Sequence, residues 1–174
     1  KGSISSVESN LIERNKTLNN TYMTGQFLSS HDEIGFKQNL INQKWEQDAA
    51  DAAALVAATL QITAKGQPVI YYGEEVGQTG ENNYPYQTNR YDFNWEAGKN
   101  SVYNHYNTLL NIRNQYAALF AKGDRQSVAM SNADGYDVVS RSYNGETIYI
   151  GMNIKAEAQT ITIPVNSNGV SAYK

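Results

Sequence analysis

Two apolar runs, each ending in polar residues beside a glycine, flank one long alanine-rich segment. The first, Gln26-Phe27-Leu28-Ser29-Ser30-His31-Asp32, stops abruptly at a His-Asp pair with Gly35 close behind. The second, Gly66 to Gly77, carries Val69-Ile70-Tyr71-Tyr72 and then Gly73-Glu74-Glu75. Short apolar runs bounded by polar residues read as buried strands, here over residues 24–29 and 69–72. Between them, residues 43–65 hold many alanines together with Leu55, Val56, Thr59, Leu60 and Ile62, which predicts a helix. Gly66 stands where a C′ glycine ends such a helix, and Pro68 bars its continuation. Strand, helix, strand at this spacing is a parallel, right-handed βαβ unit. In such a unit, side chains at the C-terminal ends of the strands are the ones available for chemistry.

The rest of the chain divides in two. Residues 3–18 are compatible with a short helix, and Asn19-Asn20 is a turn signal. Residues 77–100 form a long polar loop rich in Asn, Gly and Tyr, of a length that is usually functional. A second long helix is expected over residues 101–121, from the helical spacing of Val102, Tyr106, Leu109, Ile112, Tyr116, Leu119 and Phe120. The pattern then changes. Residues 138–143 and 147–152 flank Asn144-Gly145, a strong hairpin signal. Asp134-Gly135 is another turn, and residues 159–165 alternate as a strand. The fold class is therefore α/β followed by all-β, with one unit over residues 1–122 and an antiparallel unit over 123–174. The second has three or four strands, few for a stable sandwich.

Composition narrows the function classes. The 174 residues are 18% charged with a net charge of −3, and no basic stripe points to nucleic acid. No run of about 18 apolar residues could span a membrane. The first residues lack the apolar core of a signal peptide, so any targeting segment is expected outside this chain. The absence of cysteine excludes disulfides and thiolate chemistry. With two histidines and no cysteine, no transition-metal cluster is expected, and no Asp-x-Asp-x-Asp-Gly calcium loop is present. The 13 tyrosines suit sugar, offering a ring face and a hydroxyl, although most are expected to serve strands and core. His31 and Asp32, at the end of the first strand, could bind sugar hydroxyls: a carboxylate accepts from two at once and an imidazole donates to another. A carboxylate near an anomeric carbon also stabilises oxocarbenium charge. His105 reads as a packed helix histidine, and Glu74 as a solvated loop carboxylate.

Phe27-Leu28-Ser29-Ser30-His31-Asp32 resembles the fourth conserved region of the α-amylase family, glycoside hydrolase family 13, which ends strand seven of the catalytic barrel and usually reads Phe-x-x-Asn-His-Asp. Gly66-x-Pro68-x-Ile70-Tyr71-Tyr72-Gly73-x-Glu75-x-Gly77 is similar to the strand-eight motif. Phe93-Asn94-Trp95 resembles the family's Pro-Met-x-Trp segment. Leu110-x-x-Arg113, with Ala118-Leu119 and Gly123, resembles its closing helix. The motifs follow the family's order and spacing over roughly residues 20 to 150. Two departures stand out: Ser30 replaces the usual Asn, and residues 33–36 differ from the common pattern, in which an Arg often follows.

The resemblance implies the last two βα units of a (β/α)8 barrel plus part of a C-terminal β domain. Asp32 would be the catalytic transition-state stabiliser and His31 would bind the same sugar. Tyr84, Tyr86, Tyr91 and Trp95 would be stacking candidates on the strand-eight loop, with packing inside the loop as the other reading. Tyr72, Gly73 and Glu75 would shape the strand end. The substrate would be an α-glucan such as starch, glycogen or pullulan, cleaved with retention. The nucleophilic Asp and acid/base Glu would lie upstream, so the chain alone is expected to be inactive and to need that segment to complete the barrel. No cofactor is expected in this chain, with calcium an option in the parent enzyme. An extracellular or cell-surface bacterial setting follows from the resemblance alone. A transglycosylase, a non-catalytic homologue and a glucan-binding module remain as alternatives.

Overall fold

The computed structural model describes residues 3–83, 85 and 87–163. The elements run α1 (Ile4–Thr17), β1 (Gly25–Gln26), α2 (Phe36–Asn42), α3 (Gln47–Thr63), β2 (Gln67–Pro68), α4 (Ser101–Gln115), α5 (Ala117–Lys122), β3 (Asp124–Ser131), β4 (Tyr136–Tyr143) and β5 (Glu146–Asn153). Strands β1 and β2 pair in parallel across α3, and β3-β4-β5 form a separate antiparallel sheet. Among the described residues, no helix is long and apolar enough to cross a membrane.

The two parallel strands differ from the expected ones: β1 covers only Gly25–Gln26 of residues 24–29, and β2 is Gln67–Pro68, just before the expected 69–72. Gln67 N–H donates to Thr24 O and Val69 N–H to Gln26 O, at 2.8 and 2.7 Å. Past that point the backbone groups find other partners. The Gln61 amide donates to both Gln26 O and Val69 O at 2.9 Å, and Tyr71 N–H donates to the Glu74 carboxylate at 2.9 Å. The remainder of each run continues without ladder bonds. Leu28 and Ile70 still pack on Ala58, Ile62 and Tyr106, which joins both runs to α3 and α4.

Three helix boundaries also differ. The long helix begins at Gln47, not residue 43, because Lys44 adopts φ 66° and breaks the chain after α2. The helix expected over 101–121 is two helices: Tyr116 (φ −112°, ψ 39°) leaves helical geometry, and α5 turns Leu119 and Phe120 onto the sheet. Gly66 is not the C′ residue, since α3 closes at Ala64. It holds φ 122° at a close approach to β1, where a Cβ would lie 2.7 Å from Thr24 O.

The antiparallel unit follows the hairpin signal: Asn144 and Gly145 both take positive φ, 51° and 83°, as a two-residue type I′ turn requires. Strand β3 carried no clear alternation and was not anticipated. Its register slips between Ser127 and Ala129, which blurs the period-two pattern. Residues 159–163 carry no strand, and the rest of that expected strand lies outside the described residues. Val139, Ile150 and Met152 pack on Leu119 and Phe120, with Val56 and Leu60 of α3 alongside.

The C-terminus of α3 is where the two units meet. A helix leaves its last carbonyls without partners and carries partial negative charge there. Here guanidinium groups fill that need. Arg113 of α4 donates to Ile62 O, Ala64 O and Gly66 O. Arg141 of β4 donates to Thr63 O, and Arg14 of α1 to Lys65 O at 2.7 Å. Arg141 is fully buried and also donates to Phe120 O and Gly123 O, at 2.8 and 2.9 Å, behind α5. Burial pulls its pKa down to about 10, so it stays charged at neutral pH. Both Arg113 and Arg141 lie over the Phe120 ring, at 5.7 and 5.9 Å.

A second buried contact ties α1 to the sheet. Arg125 of β3 grips Glu8 of α1 with three bonds of 2.7 to 3.0 Å. Asp137 of β4 is buried nearby, and desolvation followed by the Glu8 charge pushes its carboxyl up to about 6.

Two outcomes follow for stability. Arg141→Met leaves at least three carbonyls buried without a donor, so it should lower unfolding free energy by about 3 kcal/mol or more; denaturant titration followed by circular dichroism measures this. Asp137 holds a proton in the folded chain between about pH 4 and 6 that the unfolded chain releases, so stability falls as pH rises through that window. Asp137→Asn should therefore raise the melting temperature at pH 7.5, with the gain vanishing near pH 4.

Candidate active site

The site lies at the C-terminal ends of the two parallel strands. After Leu28 the first run turns through Ser29 to Gly35, and Phe36 N–H returns to Leu28 O at 2.9 Å, closing the turn. Gly35 is fitted to this closure, since a Cβ there would stand 2.7 Å from Ser29 Oγ. His31 and Asp32 stand on the turn with side chains 64% and 66% exposed. They pair with each other, Nε2 to Oδ2 at 3.1 Å. The other carboxylate oxygen of Asp32 faces Arg90 Nη2 at 3.4 Å. An ion pair this exposed adds little to stability; its effect is to orient the carboxylate.

The long loop after β2 holds the turn from the other side. Asn82 Nδ2 donates to Asp32 O, and Arg90 Nε donates to His31 O at 3.2 Å. Asn89, only 3% exposed, directs its side-chain amide at Ser30 O, His31 O and Glu33 O, at 3.0, 3.2 and 3.4 Å. Asn82, Asn89 and Arg90 were not singled out in the sequence. The available signal was an Asn-Arg pair inside a polar loop too long to be a simple connection.

Glu74 is not the solvated carboxylate its sequence context suggested. It is half-buried, accepts from Ser29 Oγ at 2.6 Å and from Tyr71 N–H at 2.9 Å, and so links the ends of the two apolar runs. Burial raises its pKa, against the opposing effect of those two hydrogen bonds. Glu75 accepts from Gly73 N–H at 2.8 Å, within a local turn. His105 is half-buried, with Nε2 3.0 Å from Thr59 Oγ1 and 3.1 Å from Leu55 O.

Of the aromatic candidates, Tyr91 and Tyr72 clasp each other: Tyr91 O–H donates to Tyr72 O at 3.1 Å and Tyr72 O–H to Tyr91 O at 2.6 Å. Their rings meet edge-on at 5.2 Å. Gly73, at φ 93°, lies under the Tyr91 ring, where a Cβ would approach to 2.8 Å. The Tyr91 hydroxyl is thus bonded to backbone within the loop. Trp95 is 82% exposed, its ring 4.7 Å from that of Phe93, and its face is open to a ligand. Tyr84 and Tyr86 lie outside the described residues. Among those described, no three His, Cys, Asp or Glu side chains come together as a metal cluster.

Comparison with known proteins agrees with this geometry. The family described as alpha amylase, catalytic domain, matches residues 3–122. A cyclomaltodextrinase of Geobacillus thermopakistaniensis is 33% identical over 111 residues, 63% of this chain and 18% of the relative. An amylopullulanase of Thermoanaerobacter thermohydrosulfuricus is 28% identical over 158 residues, 82% of this chain and 10% of the relative. The fold resembles the α-amylase of Geobacillus thermoleovorans, solved with acarbose, at a TM-score of 0.76 and 24% identity, covering 94% of this chain and 34% of that one. The chain thus spans under a fifth of the length of these two curated relatives. With the parallel pair, its helices and the antiparallel sheet in the order found, the chain belongs to the α-amylase family and carries part of its barrel followed by strands of a C-terminal β domain.

Proposed function

We propose that this chain forms one wall of the active site of a retaining α-glucan hydrolase. The observation that carries the reading is the exposed His31–Asp32 pair, held at the C-terminal end of a parallel strand in a chain of this family. Asp32 would grip two hydroxyls of the sugar at the cleaved bond and favour the positive, flattened ring of the transition state. His31 would donate to a neighbouring oxygen. Trp95 offers a stacking surface, and Tyr91 keeps the loop in shape.

Retaining cleavage needs two further carboxylates about 5 Å apart, one as nucleophile and one as acid and base. Glu74 and Glu75 are bonded to backbone beside their own turn, which suits structural roles. The nucleophile and acid/base are therefore assigned to polypeptide outside this chain. The surface supports a covering segment. An open apolar trough is lined by Val7, Leu11, Phe27, Trp45, Val56 and Ile154, with Phe27 56% exposed. Parallel strands of barrels are ordinarily covered on both faces.

Two measurements test the reading. The 174-residue chain alone should release no reducing ends from starch or pullulan, and turnover by it would overturn the assignment. In the polypeptide that completes the barrel, Asp32→Asn should lower kcat by about 100-fold or more, the scale expected for loss of a transition-state charge contact. His31→Ala should mainly raise KM. Maltoheptaose binding with no cleavage by the completed polypeptide would instead identify a binding module.

A further inference from the structure

Asn89 is an unusual side chain for a polar loop. It is nearly inaccessible and is fixed at three points. Its backbone N–H donates to Glu81 O at 2.9 Å, its backbone carbonyl accepts from Tyr71 O–H at 3.1 Å, and its side-chain amide reaches three carbonyls of the His31–Asp32 turn. A carboxamide has only two N–H bonds, so one is shared between carbonyls. The packing leaves no slack, because a Cβ on Gly80 would stand 2.7 Å from Asn89 N. The turn has few other bonds of its own: Asp32 and Glu33 N–H both donate to the single hydroxyl of Ser30, each at 3.1 Å. Its carbonyls, pulled together on one side, fix where the side chains of residues 31 and 32 emerge.

We propose that Asn89 is a positioning residue for the reaction assigned to this site: by gathering Ser30 O, His31 O and Glu33 O onto one amide, it sets the direction in which Asp32 and His31 present themselves to sugar. It touches no substrate and acts through the shape of the turn. The proposal rests on the hydrolase reading for its kinetic consequence, but the claim about the turn stands on the geometry alone. An angular error in a charge contact is felt in the transition state more than in ground-state binding, so kcat is where the effect should appear.

The test uses the completed polypeptide and three variants. Asn89→Asp has the same shape but sets a carboxylate oxygen against the carbonyls. Asn89→Ala removes the amide without adding charge. Val139→Ala lowers stability from the core of the antiparallel sheet, leaving the turn carbonyls and the loop that holds Asn89 untouched. Melting temperature, kcat and KM on maltoheptaose, and deuterium uptake in the peptide spanning residues 28–36 are compared. The expected result is a kcat loss of about 10-fold or more for both Asn89 variants at temperatures where they are folded, with KM changed less than kcat. Uptake in residues 28–36 should quicken, and uptake in the antiparallel sheet should not. Val139→Ala should keep wild-type kcat at temperatures where it is folded, whatever melting temperature it shows. The proposal is overturned if a folded Asn89 variant keeps kcat within twofold, or if Val139→Ala loses as much kcat for a similar loss of melting temperature. Should the wild-type polypeptide cleave no glucan, the functional reading fails, and deuterium uptake still decides the positioning claim: unchanged exchange over residues 28–36 in Asn89→Ala sinks it.

Discussion

Arg141 is a full positive charge with no exposure and, among the described residues, no carboxylate contact within salt-bridge distance. Its charge is balanced by carbonyls at the ends of α3 and α5. Burying an uncompensated ion is prohibitive, whereas burying one against the negative ends of two helices is tolerable. This constraint fixes the α/β part and the antiparallel sheet relative to each other. Arg113 and Arg14 converge on the same chain segment from α4 and α1, so that residues 62–66 present five carbonyls in a row to three guanidinium groups. That segment leads directly into β2. The position of β2, and of the loop that follows it, is set by the cap.

From there the order passes to the candidate site through polar contacts. The parallel ladder is two residues long on each side and would locate the strand ends poorly by itself. Glu74 joins the ends of the two runs, taking one bond from each. The loop then returns, and Asn82, Asn89 and Arg90 fasten the His31–Asp32 turn. The exposed pair is therefore rigid through its backbone and free at its side chains, which suits groups that must meet a ligand.

Much of this was legible in the sequence. The apolar runs, the alanine-rich helix, the Asn144-Gly145 turn and the His-Asp pair each carry a local signal; the turn is found where that signal placed it, while the helix starts four residues late and β2 falls just ahead of its run. The losses have a common cause. The break at Tyr116 follows from α5 docking on the sheet, and the C-terminal cap of α3 comes from arginines between 47 and 78 residues away along the chain; neither leaves a mark in a local window. Glu74 read as solvated because nothing nearby shows that Ser29 lies against it. Arg141 lies inside the strand expected over residues 138–143 and nothing local marks it, since its partners belong to segments that precede it. Asn89 was missed for the same reason, its three acceptors lying more than fifty residues upstream.

The central claim is that this turn presents Asp32 to sugar. A crystal structure of the completed polypeptide with a maltooligosaccharide bound tests it most directly. The account predicts that the Asp32 carboxylate leaves its 3.4 Å contact with Arg90 to accept from two adjacent hydroxyls of one sugar, with the Asn89 contacts unchanged. Sugar bound elsewhere, with Asp32 still engaged by His31 and Arg90 alone, would contradict it.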